Sequence, residues 1–320
     1  MEKQLKYFET NYDLIQDMHT FQDGPKIFFG NASMKKCRYC GKDSSEVPFK
    51  KVAHAIPEFI GNKRVISNDE CDICNDKFSM LLEDHFAKFL GAARTISQIK
   101  GKKGVPAYKT KRGTSRIDLA PDGLKVQERI DDKIFEIDKE NHKLIIHAHK
   151  QPYIPVGVFK CLTKMAIAIM PDDELANFIG TIEWLLELDH QISRFKFSPL
   201  VALYSFMPGP NPHRGIKLFL FRRKSDNTEV PYMVFVVAFS NYMFQIHVPS
   251  MTKDHILFGK EITLTFFPTP FDIDKPFGEI QRRHLDLSSP SVVSVESSPI
   301  TLQFERMVEL DPSEIEALTE

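Results

Sequence analysis

Four of the five cysteines in this 320-residue chain fall in two Cys-x-x-Cys pairs, Cys37 with Cys40 and Cys71 with Cys74. A turn of that spacing aims two sulfurs at one point, and two such turns close a tetrahedral thiolate site for Zn²⁺ with no open position. Such a site stabilises a fold and does no chemistry itself. His54 lies between the two pairs, beside Pro57 and Glu58, and a neutral imidazole there could take a proton from water. The fifth cysteine, Cys161, stands alone on an apolar stripe and reads as a small core residue.

The cysteine spacing alone is shared by ribbons, finger-like modules and nucleases, so the residues between the pairs must decide. They read VAHAIPEFIGN and then ISNDECDICN. Cys-x-x-Cys-Gly, a His-x-Ile-Pro-Glu turn, an Asn three residues before the third cysteine, and Cys-x-x-Cys-Asn together resemble the HNH endonucleases that carry a zinc-knuckle staple. The likeness covers about residues 35–100. It implies a ββα-metal unit, two short strands and a helix around one divalent ion. It also implies that His54 is the general base, that Asn68 supports the histidine loop, and that Asn75, heading the helix, binds the catalytic metal. Phosphodiester hydrolysis needs a positioned water, a base of near-neutral pKa and positive charge on the phosphate oxygens, and imidazole with Mg²⁺ or Mn²⁺ supplies these. Two metals are therefore implied, a permanent zinc and an exchangeable hydrolytic ion.

One position departs from the family. An acidic residue, acting as a second metal ligand, usually precedes the base, and here that residue is Ala53. Glu58 is the nearest replacement and Glu83 a second. Glu83 lies eight residues beyond Asn75, about 12 Å along a helix axis, which makes shared ligation awkward and favours Glu58.

The elements that must hold these residues can be read from patterning. A helix is predicted to start near Asn75, because Phe78, Leu81, Leu82, Phe86, Phe89 and Leu90 recur at three- and four-residue spacing. Downstream, residues 86–117 carry Lys100, Lys102, Lys103, Lys109, Lys111, Arg112 and Arg116 with no Asp or Glu, a local basic stretch suited to nucleic-acid phosphates. Residues 1–34 read as an N-terminal extension packed on the next module, 35–100 as the stapled nuclease module, 101–120 as a basic linker and 121–320 as a recognition or dimerisation domain. In that last part, residues 124–149 suggest a three-stranded meander, 156–170 a helix stopped by Pro171, and PDDE the start of another. LVALYSFM, IKLFLFRR, YMVFVVAFS, YMFQIHV and ITLTFF, between 199 and 267, then predict a mostly antiparallel sheet. The fold class is α+β.

Whole-chain charge offers no further guide, since 42 basic side chains face 43 acidic ones. No run approaches the length of a membrane span and the first residues lack a signal-peptide core, so a cytoplasmic protein without membrane contact is expected. The expected activity is metal-dependent cleavage of DNA, with chemistry that serves RNA equally, in a homodimer able to cut opposite strands. Bacterial restriction or phage defence is the analogous setting. Two other classes compete: a zinc module that binds nucleic acid without cutting it, with Ala53 marking a lost metal site, and an effector whose C-terminal domain answers to a nucleotide messenger.

Overall fold

The computed structural model describes residues 1–308 other than 22, 34, 111–112, 122, 130–132, 194, 196–198, 227–228 and 295. Lys111 and Arg112, expected among the phosphate contacts, lie outside the described residues.

The chain opens with helix α1 (Glu2–Asn11), which passes directly into strand β1 (Tyr12–Thr20). Strand β2 (Ile27–Phe29) pairs in parallel with β4 (Val65–Ser67), and β3 (Ala53–His54) pairs with β4 antiparallel on its other side. Helix α2 (Asp72–Phe78) comes at once, capped by Cys71, and runs through one π turn (Ser79–Glu83) into α3 (Asp84–Leu90). Phe78, Leu82, Phe86 and Leu90 are all buried at a spacing of four. A four-residue repeat drifts around an α-helix of 3.6 residues per turn, and the wider π turn brings Phe86 and Leu90 back onto the buried stripe.

Beyond α3 come α4 (Ala93–Ile96) and a small sheet of β5 (Tyr108–Lys109), β6 (Arg116–Ala120) and β7 (Gly123–Gln127). Strands β8 (Phe135–Asp138) and β9 (Lys143–His149) belong to another sheet. The meander predicted for 124–149 is thus divided, because β9 takes as its second neighbour a strand from the far end of the chain. Helix α5 (Pro155–Ile169) is buried along its whole length, its two lysines, Lys160 and Lys164, included. A 3₁₀ stretch (Asp172–Phe178) leads to α6 (Ile179–Leu186).

The remaining strands are β10 (Val201–Phe206), β11 (Ile216–Arg223), β12 (Met233–Phe239), β13 (Tyr242–His247), β14 (Gln281–Asp286) and β15 (Ser297–Gln303). All but β15, which flanks β9, join β1 in an antiparallel six-stranded sheet of order β1-β11-β12-β13-β10-β14. Residues 1–34 are therefore more than a packed extension, lending one strand to this sheet and another to the His54 sheet. The segment ITLTFF is not a strand. The Gln245 side chain takes its backbone groups instead, donating to the Thr265 carbonyl at 2.9 Å and accepting from the Phe267 N–H at 2.8 Å.

Both faces of the large sheet are covered. Phe235, Val237 and Phe239 of β12 face the main core with Trp184 and α5, whereas Val234, Val236 and Ala238 face a second cluster with Phe8 and Tyr12. The main core continues without a break from Cys37 and Tyr39 through Phe78 and Phe86 to Phe159 and Phe244. Helix α5 makes this junction, and Gly157 sets its closeness: a Cβ there would meet His85 Cδ2 at 2.5 Å. Among the described residues, no helix is long and apolar enough to cross a membrane.

Candidate active site

The four-cysteine cluster is built from two short local turns. Gly41 takes φ 73° and lets the chain turn back after Cys40, with the Gly41 N–H donating to the Cys37 carbonyl at 2.9 Å. Cys71 caps α2, its sulfur accepting the Cys74 N–H at 3.5 Å. All four sulfurs lie within 4.8 Å of one another, with Cys40 and Cys71 3.8 Å apart. Zinc–sulfur bonds of about 2.3 Å in a tetrahedron require sulfurs about 3.8 Å apart, so the donor set and its spacing fit structural zinc. Crowding already shows in the thiol acidities. The Cys74 thiol donates to Cys37 and pulls it below the ordinary thiol value, while burial raises Cys71.

His54 ends β3 with its ring about one-fifth exposed. Nε2 lies 3.9 Å from Glu58 Oε1, and Nδ1 lies 3.5 Å from the Asn62 amide nitrogen. Asn62 is buried, and its amide is fully committed. Its two N–H groups go to the carbonyls of Ile56 and Val65, and its oxygen accepts the N–H groups of Arg64 and Val65, both at 2.9 Å. That pattern fixes which end of the amide is oxygen and leaves neither N–H for the imidazole. Burial lowers the His54 pKa, Glu58 opposes that, and Lys164, Lys102 and Lys26 add to it. The net direction is downward, so neutral imidazole is favoured.

Beneath the histidine lies a buried ion pair. Lys164 of α5 donates to the His54 carbonyl at 3.0 Å and pairs with Glu70 at 2.9 Å, both side chains being at most 1% exposed. Burial pushes Glu70 up to about 7, with Lys164 pulling the other way. Burial also works against the lysine's charge, but Glu70 and Glu83 outweigh it and hold Lys164 above its ordinary value. Glu83, at the end of the π turn, is raised by burial and by the charge of Glu58.

Of the residues expected from sequence, the structure brings His54 and Glu58 together. The Asn68 amide reaches the Gly30 carbonyl at 3.4 Å and its N–H the Phe29 carbonyl at 2.7 Å, so it ties the ends of β2 and β4. The contact to the histidine loop is made by Asn62. Asn75 is half-buried in the first turn of α2, its N–H donating to the Cys71 carbonyl at 3.0 Å. Lys100, Lys102, Lys103 and Lys109 are exposed, whereas Arg116 is paired with Asp118 at 2.5 Å. Lys102 stands near enough to depress His54. Sequence reasoning missed Asn62, Glu70 and Lys164. For Lys164 a signal existed, a lysine four residues after Lys160 in an otherwise apolar helix.

No curated protein and no solved structure matches the chain. One family model does, over the stretch that runs from the first zinc-knuckle cysteine to the end of α3, and its description is HNH endonuclease. The strand pair, the helix and the four-cysteine cluster are therefore parts of one known unit: residues 37–90 are an HNH endonuclease family domain.

Proposed function

We propose that this chain is a metal-dependent endonuclease that hydrolyses DNA phosphodiester bonds with His54 as the general base. The family domain implies a nuclease, hence phosphodiester hydrolysis and a nucleic-acid substrate. The observation that carries the finer reading is the setting of His54, a ring kept neutral by burial, still reachable by water, with a carboxylate 3.9 Å from Nε2. A neutral imidazole at this edge takes the proton of an attacking water, while Lys164 holds the His54 carbonyl and Asn62 holds the loop at Ile56, two residues on. Glu58 and Asn75 would hold Mg²⁺ or Mn²⁺, which supplies positive charge to the phosphate and the leaving oxygen. The donor set suits such an ion. Mg²⁺ keeps several waters and asks the protein for one or two oxygens, and the charge of Glu58, which helps to raise Glu83, is one that a cation would offset. Glu58 then takes the role of the acidic ligand that the family has where this chain has Ala53.

The exposed lysines from Lys100 to Lys109 are read as phosphate contacts, and Arg116, bound to Asp118, as a weaker one. The remainder of the chain serves target sensing, activation or dimerisation, in a cytoplasmic restriction or anti-phage enzyme. One observation, Ala53, favours a second reading, a zinc-stapled nucleic-acid binder that does not cut. Supercoiled plasmid and a transcribed RNA, each incubated with Mg²⁺, Mn²⁺ or chelator, separate the two. Metal-dependent nicking is the expected result. Intact substrate under every metal, from protein carrying full zinc, would leave the binding reading in its place.

A further inference from the structure

Between the HNH domain and the end of the large sheet lies a cavity of about 370 Å³. Five stretches build it: the end of β1 at 20–21, the turn at 60–64 that comes after the histidine loop, residues 96–100, and the sheet-end loops at 209–216 and 240–241. Lys63, Arg64 and Lys100 line it, and among the described residues no Asp or Glu does. Phe21, Ile60 and Ile99 supply apolar wall, and Asn211 and Ser240 supply polar groups. Its size falls in the range of small-molecule sites, and the mixture of cations with apolar wall suits a phosphate joined to a flat apolar ring.

The backbone around it is unusual. Five non-glycine residues among those described take positive φ, and three of them, Gln98 (52°), Asn211 (46°) and Ser240 (50°), line this one cavity. Ser240 opens the two-residue hairpin turn between β12 and β13, which calls for positive φ, and asparagine tolerates it; at Gln98 it persists only where the surroundings enforce it. The turn that closes one wall also contains Asn62, so an occupant bears on the segment that braces the His54 loop.

We infer that this cavity is a nucleotide-binding subsite, taking one phosphate-bearing nucleotide on Lys63, Arg64 and Lys100, supplied by a polynucleotide strand or as a free mononucleotide. The strand arm rests on the nucleic-acid reading above, with which it shares Lys100; binding is measured without turnover, so its failure is distinguishable from failure of the catalytic reading. The probes are a fluorescein-labelled single-stranded DNA oligonucleotide and a fluorescent adenosine triphosphate analogue, in buffer without added divalent metal. The doubly substituted chain, Lys63→Glu with Lys100→Glu, is expected to lose at least tenfold in affinity for whichever probe binds. The log-affinity against log-salt slope for the oligonucleotide should fall by about 0.7 per lost contact. Both lysines are exposed, so melting temperature and zinc content should match the parent; should they not, Lys63→Gln with Lys100→Gln repeats the test. Lys3→Glu with Lys6→Glu on α1, outside the cavity, serves as the charge-matched control. Saturable binding of the mononucleotide identifies a free ligand, and binding of the oligonucleotide alone identifies the strand. If neither probe binds the parent, or if the cavity variant loses no more than the control, the inference is overturned.

Discussion

Lys164 reaches out of α5 to hold the backbone carbonyl of His54 at 3.0 Å, a contact across 110 residues of sequence between the large core and the HNH domain. The same ammonium pairs with Glu70 at 2.9 Å in the interior. Removing one partner of a buried pair strands the other charge and costs about 3–5 kcal/mol, whereas removing both can be nearly neutral. Lys164→Met should therefore lower the melting temperature sharply, and adding Glu70→Gln should recover much of it. Cleavage should not recover with it, because the His54 carbonyl still lacks its donor. A double variant restored in both stability and single-turnover rate would show that Lys164 has no part in positioning the histidine.

The residues that sequence reasoning found are those whose partners are near in the chain. Two sulfurs three residues apart share a turn wherever they are placed, so Cys37, Cys40, Cys71 and Cys74 were legible, as was the stripe from Phe78 to Leu90. Lys164 was marked only as a lysine in a largely apolar helix; its partner was not legible, since a bond between residues 54 and 164 leaves no trace in spacing. Strand β1 escaped notice for a related reason. It lies at a sheet edge with only Tyr12, Met18 and Thr20 buried, so it lacks the apolar alternation that marks a strand. The division of the 124–149 meander depended on β15, whose pairing with β9 begins at Ser297 opposite His149.

Asn62 and Asn68 are both asparagines in turn-like sequence, and only their burial tells them apart. Asn62→Ala strips the Ile56 and Val65 carbonyls of a donor and two N–H groups of an acceptor, in a site that water does not reach. Each buried group left unpaired costs about 1–3 kcal/mol. Asn68→Ala loses one half-buried contact at 3.4 Å and should cost less than 1 kcal/mol, or roughly the lower end of a net hydrogen bond. Urea denaturation of the two variants ranks them directly. An equal or larger loss at Asn68 would return the loop-bracing role to that residue.

The staple should be structural. Cys71 is both a zinc-site sulfur and the cap of α2, so Cys71→Ser weakens two devices at one position. The expected outcome is less than one zinc per chain and a lowered melting temperature, since a structural zinc site contributes folding energy outright. A chelator strong enough to strip zinc should reproduce the effect in the parent. Unchanged stability with full zinc in Cys71→Ser would remove that sulfur from the ligand set.

His54 offers the test that separates chemistry from fold. His54→Ala should keep zinc content and nucleic-acid affinity near the parent while cleavage falls by roughly 10²–10⁴-fold, the usual contribution of a general base. The pH profile then reports the environment of the ring. Only neutral imidazole accepts a proton, and burial, Lys164, Lys102 and Lys26 set its pKa below the ordinary 6.5 against the opposing pull of Glu58. The rate of the parent should accordingly be level above pH 6.5 and fall only as pH drops through the lowered value. Lys102→Gln removes a charge that disfavours imidazolium, so the acid limb should move to higher pH. Glu58→Gln removes the carboxylate that favours imidazolium, so under saturating Mn²⁺ the limb should move to lower pH. Limbs that move in the reverse directions, or a His54→Ala variant that cleaves as fast as the parent, would rule out His54 as the group whose titration sets the rate.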